Sequence, residues 1–563
     1  MKRLLLLAAA ALLTTPAWSN TLVSNVNGIQ VGPDGKLDHF HALIVDDDGK
    51  VAQVLHANDD SLLPYSKRVD GGGRTLLPGL IDAHGHVIES PGGSVGLGLL
   101  LLQLDVSGTQ SLAEVQERLK LYAAQNPGTG WIVGRGWNQE AWPNKAFPTA
   151  ADLDAVVADR PVWLVRVDGH AAVGNSAALR AAGITSQTAV PAGGRIETDA
   201  NGRPTGLLVD NAIRLVADVL PPPAPAMLDR ALEAAQDQLL SFGITATTDM
   251  GTSAPSWAAM ERLGTAGRLR MRIMSYSNGL EPLKHMGANG PRTALFGDRL
   301  SLSGVKLYAD GALGSRGAWL KQPYADKPDT RGLRFLTDAQ LRQQARTAAA
   351  AGLQLAIHAI GDAANSQVIT AYEELSRRYG SNRRWRIEHF QVADPADIGR
   401  LAPAGIIASM QPTHQTSDRL MAEKRLGPDR LHGAYAWQSV LKSGARIAFG
   451  SDYPVESPNP FPGLSAAISR QDIDGQPPGG WIPSERLTFE QALDAFTRGA
   501  AYASFAEGRI GALEPGKWAD FILVDRDVSQ VDPQSLARTQ VLETWIGGKK
   551  VWERGTSAGE RGR

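Results

Sequence analysis

From residue 77 to residue 450 the chain repeats one pattern: a short apolar run rich in β-branched residues, a turn, then an amphipathic helical stretch. The runs lie at 77–83, 244–248, 271–275, 302–308, 353–358, 385–389, 406–410 and 446–450. Parallel strands need crossovers long enough to hold a helix, so this alternation predicts parallel β/α units. Eight of them predict an α/β fold of the (β/α)₈ TIM-type barrel class. The helical stretches agree. Leu228, Ala231, Leu232, Ala235 and Leu239 recur at helical spacing and stop at Gly243, while Thr337 can cap a helix that ends at Gly352. Asn365 can cap a helix carrying Val368, Tyr372 and Leu375 on one face, and Thr488 with Gln491 has capping-box spacing.

Outside these units the chain changes character. Residues 20–75 hold short β-type runs broken by Gly32-Pro-Asp-Gly35 and Asp46-Asp-Asp-Gly49, and 508–563 does the same around 518–524 and 541–551. The two ends are expected to form one composite β-sandwich beside a barrel spanning 76–507. Residues 88–225 are too long for a simple connection and carry Trp131, Trp137, Trp142 and Trp163, which predicts a subdomain inserted after strand one. An insert at that place rises from the C-terminal face of a barrel, as a lid or pocket wall.

A hydrophobic content of 43% with 20% charged residues is that of a globular protein with a large core. A net charge of −1 and no basic run exclude nucleic acid as the main partner and point to a small molecule. Residues 1–19 have the basic start, short apolar core and small-residue exit of a signal peptide, so the expected location is periplasmic or secreted, with no membrane association after cleavage. A retained anchor is the alternative there. With no cysteine, a lipid anchor and disulfides are excluded, and metal ligands must be nitrogen or oxygen.

The first barrel run ends in His84-Gly85-His86, two imidazoles two residues apart and so on one side of a strand. They can share one cation, with Gly85 leaving backbone room between them. A second such pair, His39 and His41, sits among polar residues in a strand that continues past it, and is read as no ligand pair. Four further residues fall at the ends of other runs: Lys306, His358, His389 and, after the last, Asp452. Barrel closure would bring all six to one rim.

These motifs resemble the amidohydrolase superfamily, in the branch called amidohydrolase family 3 that includes N-substituted formamide deformylase. The resemblance rests on 78–86, 168–176, the Lys306 run, 358–362, 388–390, 450–454 and 513–520. It implies a barrel with a composite sandwich and a centre of one or two zinc ions, another divalent transition metal being possible. His84, His86 and Asp452 would hold one ion and His358 and His389 the other. Lys306 would bridge them as a carboxylated lysine, whose two anionic oxygens can span metals about 3.5–4 Å apart. Such a centre lowers the pKa of bound water to about 7 and polarises a carbonyl, so that metal-bound hydroxide attacks. Asp452 is the candidate general base and later the acid for the leaving amine.

The expected activity is hydrolysis of non-peptide C–N bonds in formyl or N-acyl amides bearing an apolar group. Trp137, His170, Asn175 and His414 are candidate substrate contacts, Asp310 and Arg316 candidate structural residues. A homodimer is compatible with the sequence. Three other readings exist. The same ligands could serve a lactonase or phosphotriesterase, or the barrel could bind small molecules without catalysis. Gly92-Gly-Ser-Val-Gly96 matches a serine-hydrolase elbow, but the residues before it read as loop rather than strand.

Overall fold

The computed structural model describes residues 19–57, 59, 63–89, 96–287 and 289–555. Residues 1–18 of the segment read as a signal peptide, and most of the 92–96 motif, lie outside them. The described chain divides into two compact units, 1–98 with 232–563, and 99–231.

In the first unit eight parallel strands form a nearly closed barrel sheet: β1 (Leu80–Gly85), β2 (Ile244–Thr252), β3 (Arg272–Asn278), β4 (Leu300–Tyr308), β5 (Gln354–Ala359), β6 (Arg386–His389), β7 (Ile407–Met410) and β8 (Arg446–Phe449). Each pairs with the next in order. All eight sequence-derived runs are therefore strands, with shifts of a few residues at their ends. β1 and β8 meet through backbone bonds just beyond β8, where Asp452 N–H donates to His84 O at 2.7 Å and His86 N–H to Tyr453 O at 2.9 Å. Gly85 is required at this seam. A Cβ there would lie 2.2 Å from the Tyr453 ring.

The helices close as their caps direct. Pro225–Ser241 buries Leu228, Ala231, Leu232, Ala235 and Leu239, and Gly243 at φ +77° turns the chain into β2. Thr337 and Thr488 both form capping boxes, with Gln340 and Gln491. Asn365 does not cap a helix. The helix Asp362–Tyr379 begins earlier, and Asn365 is buried inside it, donating to Ile360, Gly361 and Val392 carbonyls. The helix has Gly361 at its N-cap and no side-chain cap; Asp310 fixes the turn before it, its carboxylate accepting the N–H groups of Ile360, Gly361 and Trp319 at 2.8–3.0 Å.

The two chain ends do build shared β-structure. A six-stranded sheet runs Lys549–Glu553, Val541–Ile546, Phe521–Val524, Thr75–Pro78, Asn27–Val31, Leu37–Phe40. Beside it a four-stranded sheet comes from the N-terminal part alone, and Val23, Leu43, Val45, Leu76, Phe521, Leu523 and Trp545 fill one core. Thr75–Pro78 lies in the sandwich and β1 follows after Gly79, so the transition falls a few residues later than the sequence placed it. Arg272 of β3 and Asp520 clasp the sandwich segment to the barrel with a bidentate pair, 2.7 and 2.9 Å. His39 and His41 are both exposed.

The second unit, 99–231 rather than 88–225, has its own six-stranded mixed sheet, edged by Gly194–Thr198 and Leu104–Asp105. Trp137, Trp142 and Trp163 are core residues of this unit. Among the described residues no helix is long and apolar enough to cross a membrane.

Candidate metal centre

Four strand ends and the turn after β8 deliver polar side chains to one place. His84 stands near the end of β1 with His86 just past it, Lys306 on β4, His358 on β5 and His389 at the end of β6; Asp452 follows β8. All six line a single cavity of about 360 Å³, together with Tyr308 and His414. Donor atoms of His84, His389 and Asp452 lie within 4.8 Å of one another, close enough for one ion. His86 Nε2 is 3.1 Å from Asp452 Oδ1. The rings of His389 and His358 are 4.5 Å apart, and those of His389 and His84 4.7 Å. The tightest trio thus takes His389 from the other side of the division that the family resemblance implied.

The orientation of His84 is set from behind. Its Nδ1–H donates to Glu388 Oε2 at 2.6 Å, which leaves Nε2 as the free lone pair facing Lys306 Nζ (3.3 Å) and Asp452 Oδ1 (3.5 Å). Glu388 is itself gripped by Arg386, at 2.8 and 3.2 Å. Burial opposes the Glu388 charge, but the Arg386 guanidinium and the His84 bond outweigh it and hold the carboxyl well below its usual range. Arg386 also donates to Ala83 O and Ser409 Oγ, locking β6 to β1 and β7. His389 Nδ1 pairs with Gln411 Oε1 at 3.0 Å, turning its Nε2 toward the cluster in the same way.

Electrostatics favour a cation here. Burial, with Lys306 nearby, lowers His84 to about 4 and His358 to about 3, and His389 is pushed well below 6.5, so the imidazoles are neutral at pH 7. Burial penalises the Asp452 charge, yet the surrounding histidines keep it ionised. Lys306 is depressed by burial to about 8. Several buried atoms have no hydrogen-bond partner among the described residues: His86 Nδ1, His358 Nε2, His414 Nε2, Tyr308 Oη and Asp452 Oδ1. Leaving so many unpaired in a protein interior would cost about 1–3 kcal/mol each. Neutral imidazoles, a carboxylate and orphaned lone pairs fit a divalent ion.

Backbone strain falls at the same positions. His389 and Asp452 have φ of +76° and +59°, a region that side-chain-bearing residues avoid at a cost of about 1–3 kcal/mol. Asp452 is held there by its bond to His84 O and by Asp82, which accepts from Ser451 N–H, Ser451 Oγ–H and His84 N–H.

Of the substrate-contact candidates, His414 alone lines this cavity. It lies on the helix Pro412–Leu426, its Nε2 3.8 Å from Asp452 Oδ2 and its ring stacked on His389. Trp137 is corrected to a structural role. It is fully buried in the core of the second unit and donates to Leu164 O at 2.8 Å, because its large apolar face fills the space between that unit's sheet and helices. Asn175 is likewise structural, since all of its amide is engaged: Oδ1 accepts from Val162 and Ala178 N–H, and Nδ2 donates to Val157 and Arg160 carbonyls. His170 is exposed in the second unit and pairs with Asp210 at 2.9 Å. Asp310 is buried under β5 with three backbone donors, and Arg316 pairs with Asp326.

Sequence reasoning gave Glu388, Arg386, Gln411 and Tyr308 no role. Glu388 stood in a quoted motif beside His389, and a carboxylate and arginine alternating on an otherwise apolar strand was the available signal.

Comparison with known proteins agrees with this geometry. A profile described as "Amidohydrolase family" matches residues 67–552. The chain is 35% identical to Protein LONG AFTER FAR-RED 3 of Arabidopsis thaliana, over 85% of this chain and 82% of that one. It is 34% identical to putative amidohydrolase YtcJ of Bacillus subtilis (strain 168), over 87% and 91%. Similarity to N-substituted formamide deformylase of Arthrobacter pascens is 27% identity over 87% and 91%. An uncharacterized metal-dependent hydrolase from Pyrococcus horikoshii OT3 superposes with a TM-score of 0.75 at 27% identity, covering 92% of this chain and 99% of that one.

Proposed function

Because the chain belongs to the amidohydrolase family, we propose that it hydrolyses non-peptide C–N bonds in formamide- or N-acyl amide-type substrates, with a divalent metal, zinc in the first instance. The convergence of His84, His389 and Asp452 donors within 4.8 Å carries this proposal. The similarity to a formamide deformylase supports the choice of bond.

A bound divalent ion supplies Lewis acidity to a carbonyl oxygen and makes water nucleophilic near neutral pH. Within this chain, His84, His86, His358, His389 and Asp452 would hold it. Lys306, with its amine depressed to about 8, has the free-base form within reach that adds carbon dioxide to give a carbamate and a proton. Asp452 is placed to accept a proton from the attacking water and return it to the amine nitrogen as the C–N bond breaks, releasing a carboxylate and an amine. Tyr308 Oη–H, buried and unpartnered beside Lys306, is the neutral donor for the carbonyl oxygen as charge builds on it. His414 stands across Asp452 as a second polar contact to substrate.

The test is to measure metal content of the purified protein and then screen the metal-loaded enzyme against formamides, N-acyl amines and lactones. Turnover of lactones alone would replace C–N by C–O cleavage. Metal-free protein that stays active would overturn the assignment.

A further inference from the structure

The cavity of the candidate metal centre has an uneven distribution of charge. Among the described residues two carboxylates line it besides Asp452, namely Asp418 and Glu456, while Lys306 is the one lysine or arginine in the wall. Asp418 lies one helical turn after His414 on Pro412–Leu426, on the same face. Glu456 sits on the loop four residues past Asp452. Each carboxylate is held by neutral donors only. Asp418 accepts from the Tyr435 hydroxyl at 2.8 Å and from the Gln391 amide, and Glu456 from the Ser417 hydroxyl at 2.6 Å. Among the described residues neither makes an ion pair, whereas neighbouring Asp326 and Asp472 do, with Arg316, Arg425 and Arg419.

A ligand is called for here on separate grounds. His414, 8% exposed, turns an unpartnered Nε2 into the same cavity, and Tyr308 does so with its hydroxyl. Leu313, Met421 and Val455 add apolar surface to the same wall. A molecule that meets the ligand cluster, the apolar surface and the two carboxylates has an amide carbonyl, some hydrocarbon and a positive charge. An N-acyl amino acid, by contrast, brings a carboxylate that would need a cationic clamp, and the described residues of the wall offer none apart from Lys306 within the cluster.

We propose that Asp418 and Glu456 form a selectivity wall, so that the enzyme prefers amides whose amine portion carries a second, cationic nitrogen, an ammonium or guanidinium. This rests on the hydrolase function above and specifies its substrate class. The wall draws the cation by Coulomb attraction in a partly desolvated cavity and disfavours anionic analogues.

The experiment uses the metal-loaded full chain and three N-formyl alkylamines of equal length, ending in an ammonium, a methyl and a carboxylate group. The expected order of kcat/KM is ammonium over methyl over carboxylate, with the first ratio about tenfold or more at low salt and falling as salt is added. In Glu456→Gln and Asp418→Asn, both near-isosteric, the ammonium-to-methyl ratio should fall toward one. Substrates turned over with a ratio near one, a preference for the carboxylate, or a ratio unmoved in both variants would overturn the wall while leaving the hydrolase intact. Should none be turned over, the hydrolase assignment fails instead. The wall is then judged by calorimetry, where equal affinity for the ammonium and methyl compounds refutes it and a preference abolished by Glu456→Gln sustains it.

Discussion

His84 Nδ1 and Glu388 Oε2 lie 2.6 Å apart, both fully buried, joining residues 304 positions distant in the chain. The bond fixes which imidazole nitrogen faces the cluster. Arg386 completes it on the far side, so the ligand's orientation is held by a buried charge pair and not by packing alone.

Glu388→Gln should therefore weaken metal binding by about 10- to 100-fold while leaving a folded protein, since the amide keeps the shape but not the charge. Chelator competition followed by metal analysis reads it. Glu388→Ala goes further and strands the Arg386 guanidinium, with an expected loss of about 3–5 kcal/mol in stability. Wild-type metal retention in Glu388→Gln would show that His84 is positioned by other means.

His84→Ala, Lys306→Ala and Asp452→Ala should each abolish turnover of any substrate found while leaving soluble protein, because each removes a side chain from the same cluster. Steady-state assays at saturating metal check this. Robust activity in one of them removes that residue from the mechanism.

Tyr308→Phe deletes a single hydroxyl with no partner to lose in the free protein. If the hydroxyl meets the carbonyl oxygen as charge develops, kcat should drop by about 10²-fold with KM little changed. An unaltered kcat assigns the hydroxyl to packing.

The metal-stripped protein should lose stability as pH falls from 6.5 toward 4. His84, near 4 when folded against about 6.5 unfolded, stays neutral in the native state while the unfolded chain takes up a proton in that window. His358 acts in the same direction over a window reaching about 3. Stability from these groups is present above pH 6.5 and is lost through the folded values, by a few kcal/mol in order of magnitude. Thermal melts of stripped protein across this range measure it, and flat melting temperatures would contradict the burial.

Gly85→Ala places a methyl 2.2 Å from the Tyr453 ring, at the seam that holds Asp452. Overpacking of this kind costs about 1–3 kcal/mol, and the displaced turn should release metal as well. A melt and a metal assay on one sample test both effects.

The sequence by itself determined the elements and which residues gather as candidate ligands. Strand alternation, helix caps and a His-Gly-His at a strand end are local signals, governed by the periods of strand and helix, and they located all eight barrel strands and six residues that share one cavity. Gly85 was legible as a place of close approach, though not that Tyr453 fills it. Only the tertiary structure decided what depends on partners distant in the chain. It placed Trp137 in a core and engaged every polar atom of Asn175, both of which the sequence had offered as candidate substrate contacts. It began the Asp362–Tyr379 helix at Gly361, with Asn365 buried inside it and Asp310 holding the preceding turn. It paired Glu388 with His84 and set Asp418 and Glu456 along the same cavity. Periodicity states which face a side chain takes. What waits on that face, and so whether a polar group becomes a ligand, a support or a cap, follows from how the barrel closes.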